Sequence, residues 1–202
     1  MSSADWDRRY AQEASVWSLE PNQFVVSELG DLPPGQVVDL AGGEGRNALW
    51  LASKGWQAEN VEFSKVALAK YIARAGALGL EKQSRATHAD AKHAKFQLKP
   101  DLLLICYLQL PWAELEQALD NALEQLGDGE IFGVWHALRN VTEGFGGPPL
   151  PELNVDPDKL RSWAESRGLI FDCRELKRRV SKDGAEMTAI DVQFRASVHK
   201  SE

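Results

Sequence analysis

Val37-Val-Asp-Leu-Ala-Gly-Gly-Glu-Gly-Arg-Asn47 is the stretch on which the reading of this chain turns. Val37 to Leu40 form a short strand with one charge, Asp39, late in it. Glycines at 42, 43 and 45 follow at once. Glycine takes positive φ at no steric cost and lets backbone pass close to a ligand. A helical run from Arg46 to Lys54 comes next, with Ala48, Leu49, Leu51 and Ala52 apolar and Gly55 as its stop. A strand, a glycine turn and a helix in that order predict an open α/β sheet. Such sheets bind ligands outside the carboxyl ends of their strands, and amides at a helix N-terminus can receive an anion.

Working outward, the pattern repeats. Pro33-Pro34-Gly35 is a turn leading into the first strand. Gln57 to Phe63 reads as a second strand, and Ser64 caps a helix from Lys65 to about Leu78. Ser84 to Ala89 is a weak third strand. Asp101-Leu-Leu-Leu-Ile-Cys-Tyr107 is nearly all apolar, as a strand buried on both faces should be. Trp112 to Leu126 is an amphipathic helix, Glu130 to Trp135 a fifth strand, and Pro157 to Arg167 a helix capped by Asp156. Leu169 to Leu176 and Met187 to Ala196 are late strands, joined around a Ser181–Gly184 turn as an antiparallel hairpin. The expected architecture is one α/β domain over 1–202: a doubly wound, mostly parallel, seven-stranded sheet ending in that hairpin. The segment 1–30 is expected as a helical lid, with Trp6, Tyr10 and Trp17 on it, and the Gly- and Pro-rich 138–156 stretch as a substrate-side loop. In that loop Phe145, Leu150 and Leu153 are the apolar contacts on offer.

The bulk numbers suit a single globular domain: 202 residues, 44% hydrophobic, 26% charged. The net charge of −7 disfavours nucleic acid and anionic membranes as partners, since phosphates would be repelled. Lys177-Arg178-Arg179 is the one obvious basic run and reads as a solvated strand or loop. No apolar run approaches the ~20 residues that span a bilayer, and the N-terminus lacks the apolar core of a signal peptide. Cys106 and Cys173 sit among apolar residues as free thiols and match no metal spacing. A reducing cytoplasm is the expected location.

Two carboxylates give the glycine turn its chemistry. Glu62 ends the second strand, about twenty residues past the turn, where a carboxylate can accept both hydroxyls of a ribose. Asp90, in His88-Ala-Asp-Ala91, stands at the end of the third strand, where it or a neighbouring amide can read an adenine edge. Three features at three adjacent strand ends describe a nucleoside-shaped cleft.

Val38-Asp-Leu-Ala-Gly-Gly-Glu-Gly-Arg-Asn-Ala-Leu-Trp-Leu-Ala52, with Gly55-Trp56 and Val61-Glu-Phe-Ser64, resembles the class I S-adenosylmethionine-dependent methyltransferases. Within them it is most similar to the small bacterial group related to tellurite-resistance and thiopurine methyltransferases. Trp6-Asp-Arg-Arg-Tyr10, Trp17 and Pro21-Asn22 resemble that group's N-terminal segment. The resemblance implies a Rossmann-like methyltransferase fold and S-adenosylmethionine as cofactor. It implies that Asp39, Ala41, Gly43, Gly45, Arg46 and Asn47 lie under the methionine part and that Glu62 holds the ribose. Phe63 and Ser64 would flank the adenine, Asp90 and Ala91 would meet its edge, Cys106 would border the sulfonium and Trp17 would cover the cofactor. The chain departs from the family in four places, one of them Glu62, which replaces a commoner aspartate and adds a methylene. Ala41 and Gly42 stand where glycine and often cysteine are usual, the second change reading as harmless. Asn60 is a poor strand residue where threonine or valine is usual.

Methyl transfer is one displacement at an already activated carbon, so it needs alignment and exclusion of water rather than a triad. For an oxygen or nitrogen acceptor a base helps. His136, just past the fifth strand, is the best-placed base, and Tyr107 the best-placed group to orient the acceptor. A small-molecule acceptor is expected, and no resident metal, for a monomer or homodimer. Two rival readings stand beside this one. Gly43-Glu-Gly-Arg-Asn-Ala48 also fits the G-x-G-x-x-[GA] pattern of NAD(P)-dependent oxidoreductases, although Asp39 and Glu44 would meet the pyrophosphate with like charge. The other rival is a sensor that binds S-adenosylmethionine without turning it over.

Overall fold

The computed structural model describes residues 1–182 and 184–199. Seven strands form one sheet in the order β3-β2-β1-β4-β5-β7-β6. β1 (Gln36–Leu40), β2 (Gln57–Glu62), β3 (Ser84–His88), β4 (Leu102–Cys106) and β5 (Gly129–His136) pair in parallel. β7 (Ala185–Val198) runs antiparallel against both β5 and β6 (Ile170–Lys182). The expected doubly wound sheet with an antiparallel C-terminal pair is what the chain adopts.

The helices sit between strands as the periodicity predicts: α3 (Arg46–Ser53), α4 (Lys65–Ala77), α5 (Trp112–Gln125) and α6 (Pro157–Ser166). Both faces of the sheet are covered, so β1 and β4 are buried nearly throughout. One apolar cluster joins Val38, Leu103, Ile105 and Trp135 to Leu115, Leu119 and Trp163 of α5 and α6. The other joins Val37, Leu102, Leu104 and Phe132 to Leu49, Leu51 and Tyr71 of α3 and α4. Trp163 is buried in the first cluster, and Trp50, half-buried with Lys54 over its ring, packs against the second, so both are structural. No helix among the described residues is long and apolar enough to cross a membrane.

The first thirty residues form α1 (Ser3–Gln12) and α2 (Gln23–Leu29). Ser2 and Asp5 close a capping box at the start of α1, and the Asn22 side chain accepts from the Phe24 amide to start α2. Phe24, Val25 and Leu29 enter the second apolar cluster, which fixes α2 on the sheet.

Two expectations change. The hairpin is longer than its apolar residues imply, since β6 and β7 pair from Ile170↔Ser197 out to Lys182↔Ala185. Residues beyond the sheet's edge are mostly polar, with only isolated apolar ones such as Val180 and Ala185, so hydropathy does not reveal them. The two strands satisfy each other's backbone groups and extend as a ribbon. Of the Ser181–Gly184 turn, Asp183 lies outside the described residues, as do 200–202 of the expected domain. The 138–156 stretch is also less open than a loop. It holds two 3-10 turns, Leu138–Val141 and Pro151–Leu153. Its ends are tied together, with Leu138 N donating to Val155 O at 2.8 Å and Val155 N to His136 O at 2.9 Å.

Candidate functional site

The order places the switch point of the sheet between β1 and β4, the position where ligands bind in open α/β sheets. Asp39 and the glycine turn stand on one side of it, Cys106 and Tyr107 on the other.

The turn is built against its neighbours. Ala41, Gly43 and Gly45 have φ of 57°, 60° and 71°. Ala41 therefore holds a left-handed conformation that disfavours its Cβ by roughly 1–2 kcal/mol. The Ala41 amide is tied to Val61 O at 2.8 Å. A Cβ on Gly45 would overlap the Tyr71 ring, and one on Gly43 would lie 2.7 Å from Tyr10 Oη. Glu62 turns its carboxylate back onto the turn. Oε2 accepts from Gly43 N at 3.0 Å and Oε1 from Ser64 N at 2.8 Å. Each oxygen keeps a lone pair for another donor. Burial raises the Glu62 pKa against those amides.

Two of the departures, Asn60 and Gly42, fit one another. Asn60 is fully buried, and its Nδ2 donates to Gly43 O at 2.9 Å, tying the turn to β2. A Cβ on Gly42 would collide with Asn60 Oδ1 and stand 2.7 Å from Asp39 Cγ. Glycine is thus the residue that fits at 42 in this chain, and a cysteine there would clash. Asparagine at 60 fills the space that a side chain at 42 would need.

Asp39 is fully buried, and neither carboxylate oxygen reaches hydrogen-bond geometry with a described residue. Burial pushes its pKa up to about 7; such help as it has comes from the Ala48 amide and the Arg46 charge. A buried carboxylate without a partner is costly unless something fills the role. Cys106, half-buried at the end of β4, has its thiol pKa pushed well up by burial and by Asp39.

The N-terminal segment lies over the turn, held by contacts that no local pattern marks. Glu44 is buried and accepts from Val16 N at 3.0 Å and from Ser15 Oγ at 3.2 Å. Lys70 Nζ of α4 reaches Glu44 Oε1 at 3.0 Å and the carbonyls of Tyr10 and Glu13 at 2.6 Å. It thus supplies a cation at the end of α1, where carbonyls are unpaired. Asp7 Oδ1 accepts from Ser64 Oγ at 2.5 Å and Val66 N at 3.2 Å at the start of α4. Trp17 Nε1 donates to Tyr10 Oη at 3.2 Å, and Arg9 lies over the rings of Trp6 and Trp17.

The other predicted residues fall as follows. Asn47 is buried and its Oδ1 accepts from Asn22 N at 2.8 Å. Arg46 and Phe63 are half-buried, and Ser64 is the buried cap of α4. Asp90 is exposed at its strand tip, where Oδ1 accepts from Lys92 N at 2.9 Å. The Ala91 side chain packs into the core. Trp17 is 43% exposed, the outer wall of the aromatic cover.

At the far side of the switch point, Tyr107 has φ of 60°, a left-handed conformation rare for an aromatic residue. Its ring lies 4.6 Å from that of His136. Burial and Asp191 push the Tyr107 hydroxyl up to about 12. His136 pairs in register with Asp191 of β7, and its Nδ1 stands 3.2 Å from Asp191 Oδ1, an ion-pair distance without hydrogen-bond alignment. Asp191 Oδ2 accepts from Arg178 Nε at 2.8 Å. Burial alone would raise Asp191; His136 and Arg178 outweigh it and hold the carboxyl below its ordinary value. Asp191 and Arg178 are the residues that reading the sequence missed. Leu150 is about half exposed and Phe145 partly covered, its amide donating to Thr188 O at 2.9 Å.

No protein-family model matches the chain, and no curated protein matches it in sequence. Solved structures do match its fold. One, described under the conversion of a disulfide bond into a thioacetal group during echinomycin biosynthesis, gives a TM-score of 0.78 at 18% identity. That match covers 98% of this chain and 91% of the other. Phosphoethanolamine N-methyltransferase 2 from Haemonchus contortus, solved with S-adenosyl-L-methionine, gives 0.73 at 13% identity over 99% of this chain and 60% of its own. TehB from Haemophilus influenzae gives 0.71 at 18% identity over 89% of this chain and 62% of its own. This chain shares the Rossmann-like methyltransferase fold with them.

Proposed function

We propose that this chain binds S-adenosylmethionine over the glycine turn and transfers its methyl group to a small-molecule acceptor. The single observation that carries the reading is Asp39: a fully buried carboxylate, unpartnered, beneath a turn whose backbone is held open by glycines. An ammonium group is the partner it lacks, and the amino-acid end of the cofactor has one. Glu62, fixed by two amides, keeps the acceptor capacity that a ribose diol requires. Phe63 offers an apolar face to the adenine, and the exposed Asp90 a polar edge.

Bound there, S-adenosylmethionine supplies a methyl carbon already activated by positive sulfur. This chain's residues then have three tasks. Asp39, Glu62 and the turn amides fix the cofactor. The Trp6–Tyr10–Trp17 cover excludes water from it. Tyr107, just past β4, and His136, the last residue of β5, orient the acceptor.

A dinucleotide reading fares worse. The all-parallel order 3-2-1-4-5-6 belongs to dinucleotide sheets, whereas here an antiparallel strand separates β5 from β6. Glu44 is a buried carboxylate inside the turn that a pyrophosphate would have to approach.

Calorimetric titration tests the proposal. S-adenosylmethionine and S-adenosylhomocysteine are expected to bind, and NADH and NADPH not to. Asp39→Asn should weaken the interaction about 10- to 100-fold, the range for a hydrogen bond to a charged group. Binding of a dinucleotide alone would end the reading.

A further inference from the structure

Resting on that reading, we infer that His136 is a general base held by Asp191 and Arg178, and that the acceptor is a hydroxyl compound. Each acceptor class makes a different demand on the site. A thiol ionises close to neutral pH and attacks as thiolate. A neutral amine carries its own lone pair. A neutral hydroxyl would become an oxonium unless its proton leaves as the new bond forms. Of the three, the hydroxyl depends most on a positioned base at the acceptor end, because a neutral hydroxyl is the weakest nucleophile and must lose its proton as the bond forms.

The chain provides one. The Nδ1 edge of His136 faces Asp191 at 3.2 Å, which leaves Nε2 on the opposite edge of the ring. Asp191 is fully buried and carries its charge, because Arg178 Nε donates to it at 2.8 Å. A buried carboxylate beside imidazole favours the tautomer with its proton on Nδ1 and stabilises the imidazolium that forms on proton uptake. The groups facing His136 are Asp191 from β7, Arg178 from β6 through that carboxylate, and Tyr107 from the end of β4. Tyr107 keeps its proton at neutral pH and serves as a donor rather than a second base.

The 138–156 stretch passes directly over this imidazole. A Cβ on Gly147 would come 2.9 Å from His136 Cβ, and one on Gly146 would lie 4.0 Å from Cε1. Glycines with φ of 96° and 83° permit that approach. His136 still keeps about a fifth of its side chain exposed.

The step balances. The acceptor oxygen bonds to the methyl carbon, and the carbon–sulfur bond breaks with its electron pair remaining on sulfur. The hydroxyl proton passes to Nε2. The positive charge thereby moves from sulfur to the imidazolium beside Asp191, and the proton later leaves to solvent. His136 is the catalytic residue and Asp191 a positioning residue.

Two measurements on the full chain test this. In nitrogen NMR of the cofactor-free protein, the neutral His136 imidazole, assigned among the four histidines by loss of its signals in His136→Gln, should be protonated on Nδ1 and bare on Nε2. An Nε2-protonated ring overturns the inference, whatever the acceptor. The second measurement is turnover with phenol, alcohol, amine and thiol panels. Hydroxyl acceptors should be methylated, and His136→Gln should slow them by about 10²–10⁴-fold, the contribution of a general base, while still binding S-adenosylmethionine. Asp191→Asn should slow them less and mix the tautomers. Turnover of thiols or amines alone, at rates His136→Gln does not change, overturns the inference and leaves the methyl-transfer reading standing. Failure of the unmodified chain to bind S-adenosylmethionine removes both.

Discussion

Two fully buried aspartates divide this molecule. Asp39, on β1 beneath the glycine turn, has no well-formed hydrogen bond among the described residues, and its pKa rises to about 7. Asp191, on β7, sits between His136 and Arg178, and its pKa falls. Burial acts on both in the same direction; the difference is made by neighbouring cations. The β1 region carries an incomplete electrostatic arrangement that a ligand can complete. The β5–β7–β6 region is complete within the chain and is suited to hold another group, the imidazole, in a set orientation. In this reading the cofactor side waits for charge and the acceptor side already has it.

The sharpest way to break the β1 side is Gly45→Ala. The added methyl would enter the Tyr71 ring at a φ of 71°. Left-handed strain and overpacking together should cost about 2–5 kcal/mol. Urea denaturation should show it as a fall in midpoint, and a fall under 1 kcal/mol would mean the turn is more plastic than its packing implies.

Next in size are the opposite pH dependences of the two aspartates. Asp39 has a folded pKa above its ordinary 3.8, so the folded chain binds more protons between about 4 and 7. Its neutral form is tolerated, and stability falls as pH rises through that window, by up to about 1.4 kcal/mol per pH unit. Asp39→Asn should flatten the profile there and stabilise the protein at pH 8 by an amount on the order of 2 kcal/mol, while weakening cofactor binding. Asp191 has a depressed folded pKa, so its contribution is present above about 3.8 and lost as pH falls through the folded value. Asp191→Asn should destabilise at pH 7 and lessen the acid-side loss. Denaturation series from pH 3 to 8 would read both; slopes of the same sign would cancel the contrast.

A smaller effect sharpens the β1 side. Gly42→Cys alone should be destabilising because of Asn60, and Asn60→Thr alone should lose the tie to Gly43. Combined, they should be less harmful than their sum by about 1–2 kcal/mol, the coupling expected of residues in contact. Additivity would mean the two positions do not compensate. The smallest effect belongs to the cover. Lys70→Ala removes the ion pair to Glu44 and the donors to two carbonyls. A stability loss of about 0.5–1.5 kcal/mol should accompany faster tryptic cutting at Arg8 and Arg9. Unchanged cutting would place the hold on the segment in Asp7 and Ser64 instead.

The β1 side was legible in the sequence because its parts are consecutive. Val37 to Asn47 specify strand, turn and helix by short-range sterics, and Glu62 lies one strand on. The β7 side was not. In Ala189-Ile-Asp-Val-Gln-Phe194 the alternation reads as a strand with Asp191 and Gln193 facing water. In the fold that face is buried. Part of the cover comes from the N-terminal segment, where Glu28 of α2 pairs with Arg174, which in turn donates to Gln193. No local pattern marks a strand as covered by residues more than 150 positions away. The Lys177-Arg178-Arg179 run reads as a solvated strand or loop, yet it continues β6, and Arg178 turns inward to Asp191.

Sequence alone determined the order of strands and helices, the glycine turn and the carboxylate at the end of β2, because backbone conformation and hydrophobic periodicity act over a few residues. Tertiary structure decided which charges are satisfied. Asp39 is left unpartnered, Asp191 is paired, Asn60 fills the space at Gly42 and Tyr10 lies over Gly43, because sheet register and helix packing bring together side chains that the chain itself keeps far apart.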